Sequence, residues 1–374
     1  MDPARIDLTQ EQVGLVAEAR RLGREVLAGV AARGAPGRVN RDLVKALGEE
    51  GLLSRMFPEG DRISAVDLCL LREGLAQGST EAETALAMQG LGGYPILQAG
   101  SEDLVRRWFP PLARGEAVGA FAITEPEHGT DAGAIELAAE RDGSAWRLSG
   151  VKTWISNAPD ADVYVLFART TPEAGSRGIT AFALPGDAPG VSGEPIELLA
   201  PHPIGRLELD GVRLSSDEVV GPVDGGFKVA LQTLDLFRPS VGAFAVGMAQ
   251  AALDLAVAQA GRRRAMGKPL REHQAVSQLL AEMATRTEAA RLLVYAAASA
   301  HDRGERTTGR SAMAKLFATE AAQWVVDAAL QVHGATGLER GHPLEHLYRD
   351  VRAPRIYEGT TEIQREIIAR ELYR

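Results

Sequence analysis

Over the first third of the chain, apolar residues recur every three or four positions. Thr9 and Gln12 have the spacing of a capping box, and Val16, Ala19, Leu22, Val26 and Val30 follow on one helical face. Asn40 precedes Leu43, Val44 and Leu47 in the same way, with Gly51 as the stop. From Thr9 to about Gly115 the pattern predicts a bundle of helices. Between roughly Ala117 and Val223 the texture changes. The runs "WRLSGVKTWIS", "DVYVLFART" and "GITAFAL" are rich in β-branched and aromatic residues and are parted by "NAPD", "PEAGSRG" and "PGDAPG". They predict a compact β domain, and "DVYVLF", apolar on both faces, predicts a strand buried on each side. After "GPVDGGF" the helical period returns in long alanine-rich stretches, as in "HQAVSQLLAEMATRTEAARLLVYAAASAHDRG". These suit close-packed helices of a bundle that also builds an oligomer. The expected order is α, β, α, divided at 1–116, 117–223 and 224–374.

Composition narrows the class. A chain of 374 residues, 45% hydrophobic and 24% charged, has the volume for a large core and is not disordered. The net charge of −9 argues against a nucleic-acid partner, which needs a positive footprint. The single cysteine, Cys69, lies in the apolar run "AVDLCLLREGL" and reads as a buried small hydrophobe, so no disulfide can form within the chain. The N-terminus carries no apolar signal core and no apolar stretch reads as long enough to cross a bilayer. The expectation is a cytoplasmic protein with no membrane partner.

Several common signatures fail on spacing. No G-x-G-x-x-G opens a nicotinamide site, and no G-x-S-x-G elbow is present. "GRRRAMGKPL" falls short of a phosphate loop, because Gly261 and Gly267 are one residue too far apart and Pro269 replaces the Ser/Thr. His342 and His346, four apart with Glu345 and Asp350 nearby, could share a metal on a helix, but Pro343 intervenes and the charges equally suit a solvated helix start. No metal is expected.

Other stretches carry chemistry. "FAITEPEHGTDAGA" mixes Thr124, Glu125, Gly129 and Thr130 in a Gly/Pro-shaped loop, suited either to a nucleotide's polar edge or to a locally capped turn. "VKTWISNAPDADVYV" sets Trp154 two residues before Ser156, either a ring face beside a small donor or a core tryptophan. Near the end, "RIYEGTTEIQREIIAREL" places Glu358 just before an expected helix start, where Thr361 and Gln364 have capping-box spacing and Ile363, Ile367 and Ile368 form an apolar face. A helix N-terminus with the Thr360 and Thr361 hydroxyls suits an anion.

Taken in order, "ITEPEHGTDA", "GVKTWISNA", "RPSVGAFAVGMAQAALD", "MGKPLREHQAV", "ALQVHGATG" and "RIYEGTTEIQREIIAREL" resemble the acyl-CoA dehydrogenase family of flavoproteins over nearly the whole chain. The resemblance implies an α+β multidomain fold: an N-terminal α-helical domain, a middle β-barrel domain and a C-terminal four-helix-bundle domain. It implies FAD held between the β domain and the C-terminal helices, in a homotetramer whose neighbouring subunit completes the site. Phe121, Ile123, Thr124, Gly129 and Thr130 would serve the flavin and its pyrophosphate, with Thr130 also near substrate. Trp154, Ile155 and Ser156 would flank the isoalloxazine ring. Arg263, His273 and Gln274, with Gln331, His333, Gly334 and Ala335, would reach the cofactor across a subunit interface. Thr360, Thr361 and Glu362 would meet it at the last helix. Glu358 becomes the catalytic base that removes an α-proton while flavin N5 takes the β-hydride, turning acyl-CoA into trans-2-enoyl-CoA. Gly359 would let the thioester approach, and Asp235, Arg238 and Tyr357 would shape the substrate pocket. An electron-transfer flavoprotein is the implied electron acceptor, and fatty acid metabolism the implied setting.

Departures bear on substrate more than on chemistry. The usual glycine-rich loop after the second helix is replaced by "FPEGDRISAVD", the family's Gly-Gly becomes Gly334-Ala335, and His128 replaces a small residue. Family members that carry the base on an earlier helix do so at the position of Phe237, so Glu358 stands alone here. The rival readings are the same oxidation on an acyl carrier protein, a flavin oxidase or monooxygenase on this scaffold, and a non-enzymatic regulator.

Overall fold

The structure, a computed structural model, describes residues 8–58 and 63–373. Its helices in the first third are α1 (Gln10–Leu22), α2 (Ala28–Ala31), α3 (Arg41–Glu49), α4 (Leu52–Met56), α5 (Ala65–Gly78), α6 (Thr80–Ala99) and α7 (Glu102–Ala113). Eight strands follow: β1 (Gly119–Ala122), β2 (Ala138–Asp142), β3 (Ala145–Ser156), β4 (Val163–Arg169), β5 (Ile179–Pro185), β6 (Val191–Pro195), β7 (Ile204–Ser215) and β8 (Val219–Val220). The remainder comprises α8 (Gly226–Arg262), a hairpin of β9 (Arg264–Ala265) and β10 (Lys268–Pro269), then α9 (Gln274–Asp302), α10 (Thr308–His333), α11 (Pro343–Asp350) and α12 (Thr361–Glu371). The residues divide into two compact units that cut across this order: residues 1–28, 64–83 and 235–374 form one, residues 29–63 and 84–234 the other.

In the unit that contains the sheet, the strand order is β6-β7-β3-β2-β4-β5-β8, with β1 parallel on β4. β4 is buried along all but its last residue, as its two-sided apolar pattern predicts. The long partners β3 and β7 run antiparallel, and their register slips between Lys152 and Ile155. That bulge turns Trp154 out of the sheet at a backbone φ of 57°. Asn40 caps α3 by accepting from Leu43 N, and Leu43, Val44 and Leu47 are buried as expected. The buried Gln89 amide ties α6 to the start of β1, donating to Leu112 O and Ala117 O and accepting from Gly119 N.

In the other unit, α5 is gripped on two sides through glycines. A side chain at Gly74 would meet Val16 O at 2.5 Å, and one at Gly247 on α8 would meet Glu73 O at 2.5 Å. Such contact is open only to residues without a Cβ. The capping box of Thr9 and Gln12 forms at the start of α1. Its expected apolar face, however, is displaced: Leu15, Ala19, Leu22 and Leu27 are buried, whereas Val16, Val26 and Val30 are half-buried. A π-helical turn over Gly23–Leu27 shifts the register, and a side chain on Gly23 there would meet the backbone of Gly78 at 3.2 Å. Cys69 is fully buried and burial pushes its thiol up, which makes it an inert core residue. One expectation is corrected: α8 is by length and composition apolar enough to cross a membrane, although 61% of its most apolar window is buried inside the protein.

Candidate active site

The last turns of the chain are built around two successive left-handed residues. Glu358 has φ of 52° and Gly359 φ of 93°, immediately before α12. A glutamate in that region is sterically costly and persists only where its surroundings over-determine it. Here the surroundings do so. Lys315 Nζ donates to Gly359 O at 2.7 Å, and Gln364 Nε2 donates to Glu358 O and Gly359 O at 3.2 and 3.0 Å. A side chain on Gly359 would sit 2.7 Å from that same amide nitrogen, so the position requires glycine.

The Glu358 side chain ends among charged groups. Oε2 is enclosed and has no hydrogen-bond partner among the described residues. Burial raises the carboxyl above its ordinary 4.5, and the charges of Arg72, Lys315 and Arg238 pull it back down. Arg72, itself fully buried, pairs with Glu83 and donates to Ser240 Oγ at 2.7 Å. Arg238 pairs with Asp235 at 2.8 Å, while its Nε is enclosed without a partner. Burial also raises the Asp235 carboxyl and the half-buried Tyr357 phenol. Glu358, Tyr357, Gly359, Asp235 and Arg238 thus belong to one compact unit, in which burial raises the acids Glu358, Asp235 and Tyr357. Arg72, Lys315 and Gln364 were not anticipated from the sequence. The available signal was a lone cation on the buried face of an otherwise apolar helix.

The last helix starts at Thr361 as expected, but its cap is a different residue. Thr360, not Thr361, is the N-cap and accepts from Ile363 N, because Gln364 is drawn back to the Glu358–Gly359 carbonyls. Thr361 donates its hydroxyl to Glu320 Oε1 at 2.8 Å and is buried. Glu362 is exposed, and hydrogen bonds to its own N–H and to Thr360 hold its carboxyl below the usual range.

The remaining residues of this unit lie along its surface. Arg263 is exposed and its backbone pairs with Gln259 and Leu270, and His273 occupies the N-cap position of α9 without a side-chain capping bond, its Nε2 lying 3.1 Å from Ala265 O. Gln274, Gln331, Gly334 and Ala335 are exposed, and His333 Nδ1 approaches Ala329 O at 2.9 Å. His342 is the N-cap of α11, accepting from Leu344 N, rather than a helical residue, and Pro343 holds the first helical position. His346 Nε2 lies 2.8 Å from Thr80 Oγ1 and 3.0 Å from Asp350.

In the sheet unit, a second group assembles at the ends of β1 and β3. Phe121 stands on β1 with its ring 4.8 Å from Phe167. Ile123 O accepts from Lys152 Nζ, and Thr124 O from Thr153 N. A tight turn follows in which Glu125 and His128 exchange backbone hydrogen bonds, leaving Gly129 and Thr130 exposed. Glu125, unlike its neighbours, points inward: it is 5% exposed and accepts from Lys152, Glu136 N and Leu137 N. Trp154 is 52% exposed and therefore no core tryptophan, while Ile155 is buried and Ser156 Oγ lies 2.8 Å from His202 Nε2. An aromatic ring held off the core, next to a hydroxyl and a turn with exposed backbone, fits a planar heterocycle bearing a phosphate tail. Of the altered segment "FPEGDRISAVD", residues 59–62 lie outside the described residues.

Comparison with known proteins fixes the class, a flavoenzyme oxidoreductase, and the family. The family models of the acyl-CoA dehydrogenase N-terminal, middle and C-terminal domains match residues 9–116, 120–212 and 224–373. The chain is 35% identical over 373 residues to cyclohexane-1-carbonyl-CoA dehydrogenase of Geobacter metallireducens, covering 97% of this chain and 98% of that protein. The structure of butyryl-CoA dehydrogenase from Megasphaera elsdenii superposes with a TM-score of 0.93 at 33% identity, over 99% of this chain and all of that one. An FAD complex of PigA matches with a TM-score of 0.92 at 26% identity, over 99% of both chains. The protein belongs to the acyl-CoA dehydrogenase family, and its cofactor is FAD.

Proposed function

We propose that the chain oxidises an acyl-CoA thioester to the trans-2-enoyl thioester, with Glu358 as the base. The observation that carries this reading is the unpartnered Oε2 of Glu358, held in a left-handed turn by Lys315 and Gln364. The α-hydrogen of a thioester is only weakly acidic, and a carboxylate whose desolvation sharpens its basicity suits its removal. The turn fixes the carboxylate in advance, which lowers the entropy lost on reaching the reacting geometry. The backbone N–H of Glu358 is assigned to the thioester oxygen, and side-chain-free Gly359 leaves room for the thioester. Asp235, Arg238 and Tyr357 shape the acyl site. Bound FAD supplies the acceptor for the β-hydride. Phe121, Ile123, Thr124, Gly129, Thr130 and Trp154–Ser156 would hold it in the sheet unit. Arg263, His273, Gln274, Gln331, His333–Ala335 and Thr360–Glu362 would hold it in the other, within a homotetramer. Electrons then pass to an electron-transfer flavoprotein in the cytoplasm. A CoA thioester is favoured over a carrier-bound one because the relatives described above are named for CoA thioesters.

The test is anaerobic titration of the purified holoprotein with butyryl-CoA, cyclohexane-1-carbonyl-CoA, glutaryl-CoA and acyl carrier protein thioesters. Bleaching of the flavin band by a CoA ester is the expected result. Bleaching by carrier-bound esters alone would move the substrate class, and none by any thioester would overturn the reading.

A further inference from the structure

Lys315 is the least expected residue of the site. It sits in the middle of α10, where Ala312, Ala314, Ala318 and Ala322 form the buried face, and it has no exposed surface. Burying an ammonium is costly unless something charged or strongly polar meets it. The other two cations around Glu358 are each matched by an acid, Arg72 by Glu83 and Arg238 by Asp235. Lys315 forms no ion pair of its own among the described residues, and its hydrogen bond goes to Gly359 O, the carbonyl next to the proposed base. Among the carboxylates that act on Lys315, Glu358 comes first, ahead of Glu320 and Glu362.

We propose that Lys315 is a positioning residue: through the Gly359 carbonyl it holds Glu358 in its left-handed turn, and beside Arg72 and Arg238 it adds positive charge that helps keep an enclosed carboxylate ionised. This rests on the functional reading above and adds to it a residue that acts through the base without touching substrate. The groups facing the pair are Arg72 from α5, Arg238 from α8, Glu320 on the same helix, Glu362 on α12 and Tyr357 beside Glu358. Burial lowers Lys315 to about 8, with the attraction of Glu358 working against that shift, so at neutral pH the ammonium is mostly charged. Gln364 shares the mechanical part of the task but carries no charge, which allows the two contributions to be separated.

The test reads the protonation of Glu358 directly, in holoprotein and without substrate. Infrared spectra of glutamate-labelled protein, with the spectrum of Glu358→Gln subtracted, give the midpoint at which this one carboxyl titrates. Lys315→Gln keeps a donor for the Gly359 carbonyl and removes the charge. It should raise the midpoint by roughly one unit, the lower end of what a neighbouring opposite charge does to a carboxyl. Lys315→Arg should restore the wild-type midpoint, and Gln364→Met, which loosens the turn without changing charge, should leave it in place. An unchanged midpoint in Lys315→Gln would overturn the inference, as would an equal shift in Gln364→Met. Because no thioester is present, either result leaves the assignment of the base untouched, whereas a thioester that bleaches Glu358→Gln strikes that assignment alone.

Discussion

Lys152 Nζ lies 2.7 Å from Glu125 Oε1 with both side chains buried. This pair spans the turn that carries Thr124, since Lys152 also donates to Ile123 O and Thr124 O accepts from Thr153 N. Glu125→Ala leaves a buried ammonium without its partner and should cost about 3–5 kcal/mol in urea unfolding. Lys152→Met leaves Glu125 with two backbone donors and should cost less, about 1–3 kcal/mol. Equal losses would mean the pair is not what holds the turn.

Trp154 should behave in the opposite way. A side chain 52% exposed contributes little to the core, so Trp154→Ala should change the stability of apoprotein by no more than about 0.5 kcal/mol. The same variant should bind FAD more weakly, as read by flavin retained on gel filtration. A large loss of apoprotein stability would show that the ring is structural.

The start of α5 depends on a distant acid. Asp302 accepts from Ser64 Oγ, Ala65 N and Val66 N at 2.7, 2.7 and 3.0 Å. Burial opposes ionisation of Asp302, but hydrogen bonds from His301, Val66, Ser64 and Ala65 outweigh it and lower the carboxyl below 3.8. Since the folded value is the lower one, the stabilisation is complete above 3.8 and is lost as pH falls through the folded value. Asp302→Ala should destabilise by about 1–2 kcal/mol near neutral pH, and the gap to wild type should close in acid.

Much of this was legible from residues alone. The strand "DVYVLF" and the cap at Asn40 announce themselves because burial on both faces and a side-chain acceptor are local properties. The register of α1 was not, because the π turn at Gly23 answers to a close approach by Gly78 from another helix. Thr360 and Thr361 offer the same hydroxyl, and the choice between them falls to Gln364, whose amide bonds back to Glu358 and Gly359. Glu358 could be singled out by its place before a helix. Lys315 could not, because the carbonyl it serves is 44 residues away in sequence, and Arg72 reaches Ser240 across 168.

Acidity should also leave a mark on stability at Glu358. Burial raises its folded carboxyl above 4.5, so between 4.5 and that value the folded state holds a proton that the unfolded state has released. Stability therefore falls as pH rises through the window, a loss that Glu358→Gln cannot suffer. The melting temperature of Glu358→Gln should pull ahead of wild type as pH rises across the window and hold its lead above it. A lead that shrinks as pH rises would reverse the sign of the shift.

The base assignment is tested most directly by anaerobic reduction of Glu358→Gln holoprotein with whichever thioester bleaches the wild type. The variant should keep its full flavin spectrum and bind the thioester, yet bleach at least 1,000-fold more slowly, on the order expected when a positioned proton acceptor is lost. Bleaching at the wild-type rate would place the base elsewhere and contradict the account.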